Sequence, residues 1–279
     1  MRVTDLGGDD PSYAVVACLH GDEPCGLRAV EHLRANEPEL AEPLRLVVAN
    51  ERAIDDGCRC VDEDLNRAFP GDPDGDSHES RLAADVLSAV EGRTVLDLHS
   101  TVSGSEPFAV VGRTTDRSLA LAAATGTDHA VDAGSLGGGL LSHVDGVAVE
   151  CGLSGSEAAA GVAVRVVARF LTAAELVPEP SALPTGDAVA LPETTPDHGL
   201  PARGTTPELF RIVGEAGRAG DVFTGENFRR VAAGEAFARR DGASVQAQEA
   251  FYPVLMSTDG YADKLGFRAV REGRLTAVE

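Results

Sequence analysis

Three short polar motifs, each at or just beyond the end of an apolar run, most constrain how this chain can fold. HGDE at residues 20–23 follows YAVVACL, DLH at 97–99 closes TVLDLH, and VECG at 149–152 follows a run of small apolar residues. In an open α/β sheet the ligand crevice lies outside the carboxyl ends of the strands, so residues far apart in sequence can meet there. The pattern favours an α/β fold with one polar site at the strand ends.

The residue types in these motifs indicate metal-assisted hydrolysis. His20, Glu23 and His99 supply two imidazoles and one carboxylate, a three-ligand zinc set that leaves the fourth tetrahedral position open for water. Glu150 adds a second carboxylate that can take a proton from that water. Taken singly, His20 and Glu23 can also be ordinary turn residues, with Glu23 favoured by the helix dipole. Glu150 is harder to dismiss, because a carboxylate that ends an apolar run is costly to bury unless it is paired or catalytic.

Further motifs occur in a fixed order between Tyr13 and Gly152. HGDE is followed by NERA at 50–53, an arginine at position 59, DLNR at 64–67 and FPG at 69–71, and then by DLHST and VECG. This series resembles the succinylglutamate desuccinylase/aspartoacylase family, which belongs to the zinc carboxypeptidase clan. One such motif is weak, whereas the whole series in order is specific.

The resemblance implies a role for each matched residue. It makes His20, Glu23 and His99 the ligands of one zinc ion per chain, and Glu150 the general base. The cofactor that it implies is therefore Zn²⁺.

The resemblance also implies how substrate is held. Arg59 would polarise the scissile carbonyl, and Asn66 with Arg67 would hold a substrate carboxylate. A guanidinium suits both tasks, because its planar fork matches a carboxylate and its fixed charge stabilises an oxyanion. Near the C-terminus, GYADK at 260–264 resembles the segment that carries a substrate-contacting tyrosine, which adds Tyr261.

One departure from the family concerns the substrate. The stretch before the catalytic glutamate, in which aspartoacylases carry an arginine for an acidic side chain, is GSLGGGLLSHVDGVAV here, with neither arginine nor lysine. His143 could act as a donor in its place, or it could be a solvated loop residue. The side chain that the enzyme recognises is therefore left open.

The expected architecture is α/β, a zinc carboxypeptidase-like mixed sheet flanked by helices with a smaller C-terminal β-rich domain. Apolar runs at 13–19, 44–49, 94–98, 107–111 and 146–149 alternate with helical patterns at 25–36, 77–91 and 154–176. We predict a catalytic domain at 1–177, a proline-rich linker or crossing loop at 178–207, and a β-rich domain at 208–279. The short runs ELFRIV, FRRV, EAFARR and SVQAQ favour β-structure in the last part.

The function that follows is a zinc-dependent hydrolase that cleaves the amide bond of a small N-acyl amino acid or a related carboxylate-bearing amide. Two alternatives stay open. One is a metallocarboxypeptidase that acts on peptides, and the other is a protein that binds a metal or a small molecule without catalysis.

The net charge of the chain limits the classes of partner that it is expected to bind. The formal net charge is -21 and a single lysine, Lys264, is present. Such an acidic surface indicates adaptation to concentrated salt, where repulsion is screened, with an acidic mesophilic protein as the alternative. A nucleic-acid partner is not expected, because phosphates need a basic face.

The remaining features favour a cytoplasmic enzyme. The N-terminus lacks a signal-like apolar core and no apolar run approaches the length of a membrane span, so no membrane association is expected. Five cysteines without a C-x-x-C pair are expected to be reduced thiols. A small-molecule substrate is the expected partner, and homo-oligomerisation is left open.

Overall fold

The computed structural model describes residues 1–177 and 206–275. Strands and helices alternate through the first part, and strands predominate in the second. The strands are β1 Arg2–Leu6, β2 Tyr13–Ala17, β3 Leu44–Val48, β4 Thr94–Thr101, β5 Phe108–Val111, β6 His129–Asp132, β7 Asp145–Leu153, β8 Glu208–Ala216, β9 Val222–Phe223, β10 Ala236–Arg240, β11 Ala243–Gln246, β12 Tyr252–Val254 and β13 Gly266–Arg274. The helices are α1 Cys25–Asn36, α2 Glu51–Asp56, α3 Leu65–Ala68, α4 His78–Val90, α5 Asp116–Ala124 and α6 Glu157–Ala173.

A mixed sheet forms the centre of the molecule. Within the described residues it has ten strands, in the order β1-β3-β2-β4-β7-β5-β6-β8-β13-β12. Strands β3, β2, β4 and β7 run parallel to one another, and β5 is antiparallel to β7. The parallel group brings the ends of β2, β4 and β7 to one edge, as the motif positions predicted.

Helices cover both faces of this sheet, because its central strands are apolar on both sides. On β2, Val15 and Ala17 pack into the apolar cluster with α1 and α6. The alternate residues Ala14 and Val16 pack into the cluster with α4 on the other face. With both faces buried, the strand ends are the place where polar side chains can gather.

The predicted α/β class and β-rich C-terminal part are confirmed. Strands β8, β13 and β12 continue the central sheet beyond β6, and β11, β10 and β9 form a second sheet. Phe210 and Phe267 pack with Phe108 and Val131 of the first part. The predicted linker at 178–207 lies almost entirely outside the described residues, and the division of the chain into domains stays a prediction.

The secondary structure differs from the sequence-based prediction at one predicted strand and at two short helices. The run FRRV is not a strand, because Phe228 has a positive φ of 63° that interrupts an extended chain, and Val231 makes an isolated bridge to Phe251. Helices α2 and α3 are too short to show a helical period in the sequence. Each begins at a capping side chain instead, Asn50 for α2 and Asp64 for α3.

The structure bears on membrane association in one respect. Across residues 1–177 and 206–275, no helix combines the length and the apolar character needed to cross a membrane. Cytoplasmic location and adaptation to salt stay predictions.

Candidate active site

Three buried side chains converge at the edge where β2 and β4 end. His20 and Glu23 lie in the turn that joins β2 to α1, and His99 lies on β4. The Nδ1 atom of His20 is 2.9 Å from Glu23 Oε1, and the Nδ1 atom of His99 is 3.0 Å from Glu23 Oε2. One ligand atom from each residue lies within 4.8 Å of the others, so the cluster has the donors and the spacing to hold a metal ion.

Close backbone packing holds the turn in place. A Cβ on Gly21 would overlap the backbone of Ala53 and Cys58, so only glycine fits there. The Gly21 N–H donates to the carbonyl of Arg59 at 3.0 Å. The N–H of Ser100 on β4 donates to Glu23 Oε2 at 3.1 Å. The turn is therefore tied both to the loop that carries Arg59 and to β4.

An aspartate stands behind each histidine. Asp64 Oδ1 is 2.9 Å from His20 Nε2, and Asp97 Oδ2 is 2.8 Å from His99 Nε2. An ionised carboxylate can only accept, so in the tautomer with the proton on Nε2 each histidine donates to its aspartate and leaves the Nδ1 lone pair directed toward Glu23. Outer carboxylates of this kind orient histidines that bind metals. Each histidine of the candidate metal site thus has a carboxylate partner on the ring nitrogen that faces away from Glu23.

The charges around the histidines also fit a cation. Burial acts to lower the pKa of His20, but its hydrogen bonds to Asp64 and Glu23 outweigh burial and raise that pKa. For His99 burial acts in the same way, and Asp97 and Glu23 raise its pKa well above the usual value. Three carboxylates thus surround the two imidazoles and favour positive charge there, which a divalent cation held by His20, Glu23 and His99 would supply.

Glu150 stands next to His99 on the neighbouring strand, because the two residues are paired in the parallel register of β4 and β7. Its side chain is half-buried, and among the described residues its buried Oε2 atom has no hydrogen-bond partner. Burial raises the pKa of Glu150 to about 7, against the opposing charge of His99. A carboxylate with such a pKa can both take up and release a proton near neutral pH.

Arg59 lies beside the histidine cluster. Its Nη1 is 2.8 Å from Glu23 Oε1, and its Nη2 is 3.5 Å from Asp64 Oδ2. Burial acts to lower the pKa of Arg59, but the charges of Glu23 and Asp64 raise it, so the guanidinium stays charged. The side chain is 47% exposed and lines the cavity, which leaves a face of the guanidinium for a ligand.

A buried glutamate holds the loop between Arg59 and Asp64. Glu79 on α4 is fully buried and accepts hydrogen bonds from the backbone N–H groups of residues 61–63, at 2.7, 2.9 and 3.2 Å. It also accepts one from Asn50 Nδ2 at 3.0 Å. Glu79 thereby fixes the segment that positions Arg59 on one side and Asp64 on the other.

Asn66 and Arg67 follow this loop in α3 and line the same cavity. The Oδ1 atom of Asn66 accepts from the N–H of Leu140 at 3.1 Å, so its amide donor is the end that can meet a ligand. The Arg67 side chain is exposed and its Nη1 donates to the Asn66 carbonyl at 3.3 Å. The pair presents donors at the cavity, as carboxylate binding requires.

Tyr261 reaches the cavity from the C-terminal part. Burial raises its pKa, and the charge of Glu150 raises it further. Its ring packs edge-on against Phe267 at 5.5 Å between centroids, and Lys264 Nζ lies 5.4 Å from the ring. Lys264, the single lysine, is absent from the described lining of the cavity. Its ammonium group pairs with Glu215 at 2.5 Å and packs over the ring of Tyr261, so it contacts the tyrosine without entering the site.

The structure thus gathers all eight predicted site residues around one cavity of about 290 Å³. His143 is not among the described residues that line this cavity; it is exposed and its ring lies 6.4 Å from that of Phe69.

Sequence reasoning missed the roles of Asp97 and Glu79. Asp97 had a signal, because residues two apart in a strand share a face and a buried carboxylate needs a partner. No sequence signal marked Glu79, because its hydrogen-bond partners lie 16 to 29 residues away along the chain.

The fold and the site together define a class, an α/β domain with a candidate metal site at the carboxyl ends of its parallel strands. Residues 9–142 match the family model described as the Succinylglutamate desuccinylase/Aspartoacylase catalytic domain. Over these residues the chain is similar to the family that its motifs predicted.

Solved structures agree on the fold. A product-bound ectoine utilization protein EutE (DoeB) from Ruegeria pomeroyi is 21% identical with a TM-score of 0.68, covering 98% of this chain and 88% of that one. A succinylglutamate desuccinylase/aspartoacylase from Rhodobacter sphaeroides is 19% identical with a TM-score of 0.70, covering 99% and 89%. Murine aminoacylase 3 is 18% identical with a TM-score of 0.68, covering 97% and 99%. A search of curated protein sequences finds no match.

Proposed function

We propose that this protein is a zinc-dependent hydrolase that removes the acyl group from a small N-acyl amino acid or a related carboxylate-bearing amide. The observation that carries the proposal is the pairing of Glu150 with His99 across two parallel strands, beside His20 and Glu23. This arrangement sets a carboxylate oxygen, which has no hydrogen-bond partner in the described part of the chain, next to a set of donors suited to a metal ion.

His20, Glu23 and His99 would hold one zinc ion per chain. When bound, zinc supplies a Lewis acid that polarises a carbonyl oxygen and makes water a better nucleophile at neutral pH. Asp64 and Asp97 would keep the two imidazoles oriented toward the ion.

Glu150 would act as the general base and then as the general acid. Its free Oε2 can take the proton of an attacking water, and the protonated carboxyl can then give that proton to the leaving amine nitrogen. The pKa of about 7 suits both steps, because neither form is strongly favoured near neutral pH.

Arg59 would stabilise the negative charge that develops on the carbonyl oxygen. Its guanidinium is already held by Glu23 and Asp64, so little reorganisation is needed when that charge appears. Asn66 and Arg67 would bind the substrate carboxylate, and Tyr261 would contact the substrate from the C-terminal side.

The alternatives fit less well. A cavity of about 290 Å³ suits a small amide better than a peptide that extends on both sides of the scissile bond. A protein that only binds metal has no need for the Glu150 Oε2 atom, which finds no partner among residues 1–177 and 206–275, because burying a polar atom without a partner costs free energy.

The test is hydrolysis of a panel of N-acetyl amino acids and short peptides by the protein as purified, after chelator treatment, and after zinc is restored, in molar salt. We expect release of a free amino acid that is lost with the metal and returns with zinc. Peptide trimming without turnover of N-acetyl amino acids would favour the carboxypeptidase alternative. Zinc binding without turnover of any member would favour the binding protein.

A further inference from the structure

We infer that the amino-acid half of the substrate carries an uncharged, apolar side chain, selected by a wall that comprises Val110, Val131, Ala133 and Ile212. This set of residues is called the apolar wall below. The inference rests on the proposed deacylase function and adds to it the class of side chain that the site accepts.

The apolar wall continues the sheet away from the histidine cluster. Next to β7, which carries Glu150, the sheet continues through β5, β6 and β8. Val110 lies on β5, Val131 on β6 and Ile212 on β8, and all three line the cavity. A group that extends from the reacting amide past Glu150 therefore meets hydrocarbon.

The proposed carboxylate anchor lies at the edge of this apolar region. Asn66 accepts a hydrogen bond from the backbone of Leu140, and Leu140 itself lines the cavity and is fully buried. An α-carboxylate held by Asn66 and Arg67 places the side chain on the adjoining carbon beside the Leu140 segment. It is thus the amino-acid half, rather than the acyl half, that is expected to face the apolar wall.

The part of the cavity lining that the structure describes offers no spare positive charge for a second carboxylate. Among the described residues that line it, Arg59 and Arg67 are the two with a fixed positive charge. Arg59 is paired with Glu23 and Asp64, and Arg67 is assigned to the α-carboxylate. Asp259 also lines the cavity, and its negative charge would repel a second carboxylate. An acidic side chain would lose its hydration without gaining a partner.

Binding by the zinc-loaded Glu150→Gln protein, measured by calorimetry, tests the inference without relying on turnover. The probes are N-acetyl-leucine, N-acetyl-asparagine and N-acetyl-aspartate, because asparagine separates the effect of charge from that of shape. We expect N-acetyl-leucine to bind at least about tenfold more tightly than N-acetyl-aspartate, with N-acetyl-asparagine between them. Equal or tighter binding of N-acetyl-aspartate would overturn the inference. Absence of wild-type turnover on all three would instead count against the proposed function.

A charged substitution at the edge of the apolar region sharpens the test. Leu136 lines the cavity and is 38% exposed, so Leu136→Arg can be accommodated without burying the new charge. We expect it to shift the ratio of the two dissociation constants toward N-acetyl-aspartate by roughly tenfold. The control is Val213→Arg, which changes a residue that is 45% exposed and absent from the described lining, and should leave the ratio unchanged. An unchanged ratio in Leu136→Arg would contradict the placement of the side chain here.

Discussion

The two sides of the cavity differ in chemistry and in what holds them. On one side, the polar wall of His20, Glu23, Arg59, Asp64 and His99 consists of charged groups, each held by another member or by a neighbouring carboxylate. On the other side, the apolar wall is held by packing in one hydrophobic cluster of the sheet. Removing one member of the polar wall leaves a partner unpaired in a buried place, whereas trimming the apolar wall removes only contacts. Substitutions should therefore have large, connected effects on the first wall and small, separate ones on the second.

The largest effect is expected for His99→Ala. It removes a donor from the buried cluster and leaves Asp97 and Glu23 without their shared partner. Zinc affinity should fall by more than about 100-fold, which is a larger loss than is expected when only a residue that contacts a metal ligand is changed. Zinc content after dialysis against a weak chelator measures this, with His143→Ala as the control. Retention of zinc by His99→Ala would contradict the assignment of the ligands.

A smaller loss of zinc affinity is expected for Asp97→Asn. The amide oxygen can still accept from His99 Nε2, but the negative charge behind the imidazole is gone. Zinc affinity should fall by roughly 10–100-fold. Asp145→Asn is a matched control, because Asp145 is paired with Thr94 at the other end of β4 and β7. If both variants bind zinc equally well, the metal site does not depend on Asp97.

Glu79→Gln tests whether the support of the polar wall extends into α4. The new amide group would place donors against the N–H groups of residues 61–63, so the loop that carries Arg59 should shift. We expect kcat to fall by about tenfold because Arg59 moves, whereas zinc should remain bound because His20, Glu23 and His99 all lie outside the shifted loop. Glu91→Gln, an exposed change just after the same helix, is the control. A normal kcat in folded Glu79→Gln would show that the loop holds its position without this carboxylate.

The smallest effect is expected on the apolar wall. Ile212→Val removes one buried methylene from β8, a change worth about 1 kcal/mol. KM for an apolar substrate should rise a few-fold while kcat and zinc content stay constant. Steady-state kinetics with N-acetyl-leucine measure this, and a fall in kcat as large as that of Glu79→Gln would remove the distinction between the two walls.

The two walls also differ in how far the sequence predicts them. His20, Glu23, His99 and Glu150 could be predicted, because each lies in a short motif at the end of an apolar run and parallel strands bring such ends together. Ile212 could not be predicted, because its place in the cavity depends on the pairing of β8 with β6. These two strands are neighbours in the sheet but lie far apart in the sequence. Local patterns report strand ends well, and they carry little information about which distant strand completes a pocket.

The most direct test of Glu150 as the general base beside a zinc site is the Glu150→Gln substitution, with zinc content and turnover measured on the same sample. We expect one zinc per chain, as in the wild type, together with a loss of hydrolysis of about 100-fold or more, because the base is gone while the ligands are intact. A Glu150→Gln protein that binds zinc and hydrolyses N-acyl amino acids at a near-normal rate would contradict this role of Glu150.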